Sequence, residues 1–120
     1  MTSKIINTLI LITLLALPLT SCSTTLKAQV VNRTSYAAGT GETLTVQYYE
    51  LEDQTLGFIK IGIPEAGVMT LPRVLSASGA KYTDQAAFMW WTKGSEGTLY
   101  RINNNGEWDT LYGNCQAIEE

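Results

Sequence analysis

Histidine is absent from the 120-residue chain. Imidazole is the usual general base near neutral pH and the commonest metal ligand in proteins, so its absence argues against histidine-dependent catalysis and most familiar metal sites. Cysteine occurs only at Cys22 and Cys115, too few for a thiolate zinc cluster. We therefore expect neither a bound metal nor a cofactor.

Positive charge is scarce as well. Lysine and arginine number 8 against 11 aspartates and glutamates, which gives a formal net charge of −3. An acidic balance argues against nucleic acid as a partner and suits a basic partner, which it would attract at long range. Mildly acidic proteins are common, so charge alone does not identify that partner.

The long hydrophobic run near the N-terminus is too short for a confident membrane span. It extends from Ile5 to Leu19, follows Lys4, and leads into the sequence Leu-Thr-Ser-Cys. This pattern predicts a secretory signal peptide over residues 1–21. The ending resembles a bacterial lipobox, which implies that Cys22 is lipidated and heads a tether over residues 22–29. An ordinary signal peptide with a chance cysteine is the alternative.

The residue after the predicted lipidation site is Ser23 rather than aspartate. By resemblance to Gram-negative lipoproteins, this favours the outer membrane over the inner one, with the protein facing the periplasm. Lipid chains would hold the protein to that membrane without a spanning helix, since each buried methylene contributes about 0.8 kcal/mol.

Helical periodicity is missing from the remainder of the chain, residues 30–120, where apolar residues alternate with polar ones instead. Turn signals such as Asn103–Gly106 separate these runs, and Asn-Gly suits a tight hairpin. The pattern predicts an all-β domain of short antiparallel strands, curled into a small barrel or a sandwich. The clearest alternating runs are centred on Leu44, Val46 and Tyr48, on Ile59, Ile61 and Ile63, and on Trp108, Thr110 and Tyr112.

The segment Phe88–Trp91 is apolar at every position, so simple alternation cannot bury both of its faces. A partner, a second layer or a β-bulge would be needed. Core packing is the commoner role for Trp90 and Trp91. Their rings could alternatively serve an envelope lipoprotein that binds a small apolar ligand or peptidoglycan.

A run of small residues, Ser76–Ala80, precedes this segment, and Lys93 follows it in front of Gly94. Ser78 and Lys93 could in principle act as nucleophile and base, but a lysine base must be buried and neutral. Lys93 adjoins a polar turn, so we expect it to stay charged and the protein not to be an enzyme. A solvated ammonium can instead be offered to a carboxylate outside the protein.

The sequences SASGAKY and WTKG contain these residues, and together they resemble the two signature motifs of the membrane-bound inhibitors of chicken-type (C-type) lysozyme. The similarity extends from Ser76 to Tyr100 and resumes at Asn114-Cys115-Gln116. The resemblance implies an eight-stranded antiparallel β-barrel that occupies the active-site cleft of its partner, a C-type lysozyme.

The same resemblance implies that Ser78 and Lys93 contact the catalytic carboxylates of the lysozyme. An ammonium and a hydroxyl can donate hydrogen bonds to the two carboxyl groups of a glycosidase. Other residues of the two motifs complete the implied contact set: Ser76, Gly79, Ala80, Lys81, Tyr82, Thr92 and Gly94.

Two features depart from the family pattern. Family members usually carry a cysteine shortly after the first-strand tyrosine, bonded to the C-terminal one, whereas this chain has Tyr36-Ala37-Ala38 and leaves Cys115 without a partner. Ser78 and Lys93 are also fifteen positions apart, one more than usual. A bulge in the strand between them, residues 86–91, could absorb the extra residue and keep Lys93 correctly aimed.

Overall fold

The computed structural model describes residues 18–22 and 25–119, and those residues contain eight β-strands and no helix. Each strand is antiparallel to its neighbours in the chain, and β8 returns to pair with β1, so the sheet closes into a barrel. The predicted all-β fold and the eight-stranded barrel are confirmed, and the sandwich is excluded. The strands are β1 (Ala28–Ala37), β2 (Thr43–Leu51), β3 (Gly57–Ile63), β4 (Gly67–Val74), β5 (Ala80–Thr83), β6 (Phe88–Lys93), β7 (Glu96–Ile102) and β8 (Trp108–Ala117).

The predicted signal peptide lies mostly in residues 1–17, outside the described residues. Cys22, the predicted lipidation site, is exposed. Within the described part of the chain, no helix has the length and apolarity that a membrane crossing requires.

Alternating apolar residues of the strands fill the inside of the barrel. Leu44 and Val46 of β2 have no exposed surface, and the same is true of Ile59 and Ile61 of β3. Each such side chain contributes about 1.5–3 kcal/mol by leaving water. The period-two pattern that predicted the strands is therefore also the pattern of the core.

Trp90 occupies the middle of this core and has no exposed surface. Its indole Nε1 donates to the Tyr48 hydroxyl at 3.2 Å, and that hydroxyl lies 2.8 Å from the Tyr36 hydroxyl. A Cβ on Gly97 would overlap the Trp90 ring, so glycine is needed there. Burial raises the pKa of Tyr48 well above its usual value, which keeps the Tyr48 hydroxyl uncharged.

Strand β6 places its two tryptophans on opposite faces: Trp90 points inward and Trp91 outward. The β6–β7 register is continuous from Phe88 to Lys93 and the β5–β6 register from Met89 to Thr92, so the predicted bulge in this strand is wrong. An additional residue between Ser78 and Lys93 would therefore lie outside the paired segments. One such place is the Asp84–Ala87 connection, where a single Asp84 oxygen accepts three backbone N–H groups.

Cys115 is a free thiol with no exposed surface. The pairing of β1 with β8 joins Tyr36 to Ala117 and Ala37 to Gln116, and the next step of that register sets Ala38 opposite Cys115. Ala38 is itself buried, at 7% exposure. The position expected for the missing cysteine partner is thus occupied by a buried alanine, and burial raises the pKa of the Cys115 thiol.

Candidate functional site

Pairing of β5 with β6 brings the two motifs together at one end of the barrel. Ala80 lies opposite Thr92, so the next step of the register carries Gly79 to Lys93. The preceding loop, Leu75–Gly79, therefore lies beside the end of β6. We call this loop, with Lys81, Trp91 and Lys93, the candidate site.

Gly79 makes this close approach possible. Its φ is +64°, in the left-handed region that side chains disfavour. A Cβ at this position would overlap the carbonyl oxygen of Thr92 and lie 2.7 Å from Cγ of Lys93. The loop thus lies directly against the lysine-bearing strand because residue 79 has no side chain.

The backbone carbonyl of Ser78 is held by two donors. The Ser76 hydroxyl donates to it at 2.6 Å, and the Trp91 indole Nε1 donates at 3.0 Å. Both bonds use the carbonyl, so the Ser78 hydroxyl is not needed to hold the loop. Ser78 is exposed and Ser76 is half-buried, which gives Ser76 a positioning contact within the chain.

Two lysine ammonium groups also lie close to the ring of the outward-facing Trp91. The Lys81 Nζ lies 4.2 Å from the ring centroid and the Lys93 Nζ lies 4.3 Å from it. Each such cation–π contact contributes about 0.5–1 kcal/mol at an exposed position. Trp91 therefore gathers two positive charges next to the Ser78 loop, on a chain that is acidic as a whole.

The turn after Lys93 is a two-residue hairpin, Gly94-Ser95, with Gly94 at φ +59°. Such hairpins favour glycine at the first turn position. Strand β8 secures the turn from the other side. The backbone N–H of Ala117 donates to the Ser95 carbonyl at 2.8 Å, and the Gln116 amide donates to the Glu96 carboxylate at 3.1 Å.

The remaining motif residues differ in exposure. Tyr82 is 7% exposed and packs edge-on against Tyr48 with ring centroids 5.7 Å apart, so it supports the site from inside the barrel. Burial raises the pKa of Tyr82. Ala80 and Thr92 are half-buried, while Gly94 is exposed at the hairpin tip.

Two contributors to the site were not anticipated from the sequence. Leu75 opens the loop with its side chain fully exposed, at 100%. Trp91, considered as core or as a ligand platform, instead holds the loop and both lysines. The sequence signal that could have identified Leu75 as part of the site was its position directly before the run of small residues. The double contact of Trp91 depends on the β5–β6 register and has no local signal.

The barrel interior leaves little support for a small-ligand protein. Its centre is filled by Trp90 and by aliphatic side chains without exposed surface. Trp90 is therefore inaccessible to a ligand, and the Trp91 ring already contacts two lysines.

The exposure of Lys93 also argues against a Ser78–Lys93 catalytic pair. Lys93 is exposed, whereas a lysine that acts as a base for Ser78 would need burial.

A family comparison covers most of this domain. Residues 36–108 match the family model described as membrane-bound lysozyme-inhibitor of c-type lysozyme, MliC. The chain belongs to the MliC family. The matched residues include the whole candidate site and strands β2 to β7.

Two curated MliC relatives are similar in sequence, and both are named membrane-bound lysozyme inhibitor of C-type lysozyme. The one from Pseudomonas aeruginosa is 38% identical over 72 residues, which is 60% of this chain and 54% of that protein. The one from Cupriavidus necator is 36% identical over 88 residues, 72% of this chain and 66% of that protein. The chain thus matches between about half and two thirds of each relative's length.

A solved MliC structure has the same fold. It is the crystal structure of Pseudomonas aeruginosa MliC in complex with hen egg white lysozyme, with a TM-score of 0.57 and 26% sequence identity. The alignment covers 85% of this chain and 96% of the other. The eight-stranded barrel is therefore shared by a protein that was crystallised with a C-type lysozyme.

Proposed function

We propose that this protein inhibits C-type lysozyme by inserting the Ser78 loop and Lys93 into the active-site cleft, which blocks peptidoglycan hydrolysis. Membership of the MliC family and the lysozyme complex of its structural neighbour support the proposal. The observation that carries it is the contact between Gly79 and the end of β6. This contact sets the loop that contains the exposed Ser78 against the end of the strand that contains the exposed Lys93.

The chemistry of the target suits this pair. A retaining glycosidase holds two carboxyl groups about 5–5.5 Å apart, one of which is ionised during the reaction. The Lys93 ammonium can donate a charge-assisted hydrogen bond to the carboxylate, and the Ser78 hydroxyl can donate to its neighbour. Because a closed cleft excludes water, this ion pair would be stronger than one on a free surface.

The other site residues have supporting roles in this proposal. Lys81 adds a second positive charge beside Lys93, and Trp91 holds both ammonium groups in place. Ser76, Gly79 and Ala80 shape the loop so that it can enter a cleft. The protein then acts by binding alone, with lysozyme as its partner and without enzymatic activity or a cofactor.

Membrane attachment completes the proposal. We infer that residues 1–21 are removed as a signal peptide and that Cys22 is lipidated. The barrel is then attached to the outer membrane and faces the periplasm. The lipobox-like ending and the membrane-bound designation of the relatives support this inference. An inhibitor in that position would meet a lysozyme that has entered the periplasm, before it reaches the cell wall.

The direct test is a cell-wall lysis assay with hen egg white lysozyme and increasing amounts of the purified protein. Stoichiometric inhibition is expected, with tighter inhibition at low ionic strength because the site is cationic and faces a carboxylate pair. Unchanged lysis at a tenfold molar excess of inhibitor would refute the proposed function. Mass spectrometry of the purified protein tests the anchor separately, since diacylation of Cys22 adds a defined mass.

A further inference from the structure

The outside of β1 to β4 carries an apolar row that the proposed inhibition does not use. Cross-strand pairing joins Val30 to Tyr49, Tyr49 to Phe58, and Phe58 to Pro72. The residues that alternate with them, such as Ile59 and Leu71, point into the core. The row therefore lies on the outward-facing surface of β1 to β4, which we call the wall. Val30 is 52% exposed there, and the Tyr49 and Phe58 rings stack with centroids 4.9 Å apart.

A basic row runs beside it on the same wall. Arg33 pairs with Gln47, which pairs with Lys60 of β3. The Lys60 ammonium lies 5.8 Å from the Tyr49 ring centroid, so the two rows adjoin each other. The one acidic residue within the four strands is Glu50, which alternates with Tyr49 and so faces away from the wall. The sheet face itself is thus aromatic and cationic on an acidic chain, while Glu52 and Asp53 lie in the β2–β3 turn at its edge.

We propose that this wall rests on the anionic membrane surface to which Cys22 is anchored. The inference relies on the lipidation proposed above. Only five residues separate Cys22 from Ala28, the first residue of β1, so they can span at most about 20 Å. Val30 follows two residues later, and the apolar wall is therefore kept close to the lipid.

The composition of the wall matches an interfacial surface. Aromatic and aliphatic side chains favour the boundary between headgroups and acyl chains, and lysine and arginine favour anionic headgroups. Each cation near such a surface favours the docked state about fivefold. Arg33 and Lys60 together would therefore shift the docked-to-undocked ratio about 25-fold.

This orientation leaves the candidate site accessible. In a closed ring of eight strands, β2 and β3 lie opposite β6 and β7. If the β1–β4 wall rests on lipid, the strands that carry Trp91 and Lys93 face the aqueous side. The short tether then serves to orient the inhibitor as well as to retain it.

The test uses the full lipidated protein, reconstituted into vesicles with or without 30% phosphatidylglycerol. One variant, Val30→Cys, carries a polarity-sensitive fluorophore on the wall, and Thr98→Cys carries it on β7. The buried Cys115 and an acylated Cys22 leave the introduced thiol as the reactive one. On anionic vesicles the Val30 probe should shift its emission to the blue and resist an aqueous quencher, whereas the Thr98 probe should do neither. The Arg33→Gln/Lys60→Gln double variant should release the Val30 probe while the protein stays attached to the vesicle.

Equal quenching of the two probes on anionic vesicles would overturn the proposal. Protection that grows with the number of proteins per vesicle, irrespective of anionic lipid, would show that a second copy covers the wall and would overturn it too. An unmodified Cys22, seen by mass spectrometry, would remove the tether and with it the proposal. Lysozyme inhibition is measured separately with the unlabelled lipidated parent protein, so failure of the membrane contact is distinguishable from failure of inhibition.

Discussion

The substitution Lys93→Ala separates binding from folding most cleanly. Lys93 is exposed at the end of β6, its ammonium lies 4.3 Å from the Trp91 ring centroid, and its Cγ lies beside Gly79. Loss of an exposed cation–π contact costs about 0.5–1 kcal/mol. For a domain of this size, the melting temperature should therefore fall by no more than about 4–8 °C.

Binding should respond far more strongly than folding. Removing one partner of a desolvated, hydrogen-bonded charge pair costs about 2–5 kcal/mol. At 1.4 kcal/mol for each factor of ten, the dissociation constant for lysozyme should rise between about 30-fold and 4,000-fold. Isothermal titration calorimetry with hen egg white lysozyme measures this change, and thermal unfolding of the free protein measures the stability.

The matched control is Lys27→Ala, which removes an exposed lysine before β1. It should bind lysozyme within about twofold of the parent, since one distant surface charge contributes little at moderate salt. If Lys93→Ala binds within threefold of the parent while its melting temperature is unchanged, the assigned role of the lysine is wrong. An equal loss in both lysine variants would indicate general electrostatic attraction instead of insertion into the cleft.

Three further predictions concern the supporting structure. Gly79→Ala should destabilise the fold by about 2–4 kcal/mol in thermal or urea unfolding, because it places an alanine in the left-handed region and makes its Cβ clash with the Thr92 carbonyl. The control, Gly94→Ala, should cost only about 1–2 kcal/mol, because its Cβ would meet nothing within 4 Å. Equal losses of stability in the two variants would contradict the account of the loop. Ala38→Cys should form a disulfide with Cys115 and, by the loop-entropy relation, stabilise the oxidised protein by up to about 4.5 kcal/mol; two free thiols after air oxidation would show that the β1–β8 register is wrong. Cys115 should resist thiol reagents until the protein unfolds. The free energy of unfolding should decline as pH rises above the ordinary thiol pKa of 9.0, because the unfolded thiol loses its proton there while the folded one keeps it. The same decline in a Cys115→Ala variant would show that other groups cause it.

The strands were predictable because their burial is local. Alternation in β2 and β3 identifies the inward residues, and the structure confirms them. Closure into a barrel was not predictable from periodicity, since it depends on the pairing of Tyr36 and Ala37 with residues about eighty positions away. The choice of a barrel over a sandwich came from the family resemblance.

The candidate site was predictable only as a pair of motifs. The sequence identified Ser78 and Lys93, but the contact of Gly79 with Thr92 follows from the β5–β6 register. Tyr82 was included in the contact set through the family motif, and its burial was not predictable because a strand of four residues is too short to reveal which positions face inward. The two lysines over Trp91 likewise depend on cross-strand neighbours that no local pattern specifies.

Competition with an active-site oligosaccharide tests the central claim most directly. Lysozyme would be saturated with increasing concentrations of tri-N-acetylglucosamine, and its affinity for this protein would be measured by calorimetry at each concentration. If the Ser78 loop and Lys93 enter the cleft, the apparent dissociation constant should rise in proportion to the oligosaccharide concentration once the cleft is mostly occupied. An affinity that does not change when the cleft is filled would contradict the account.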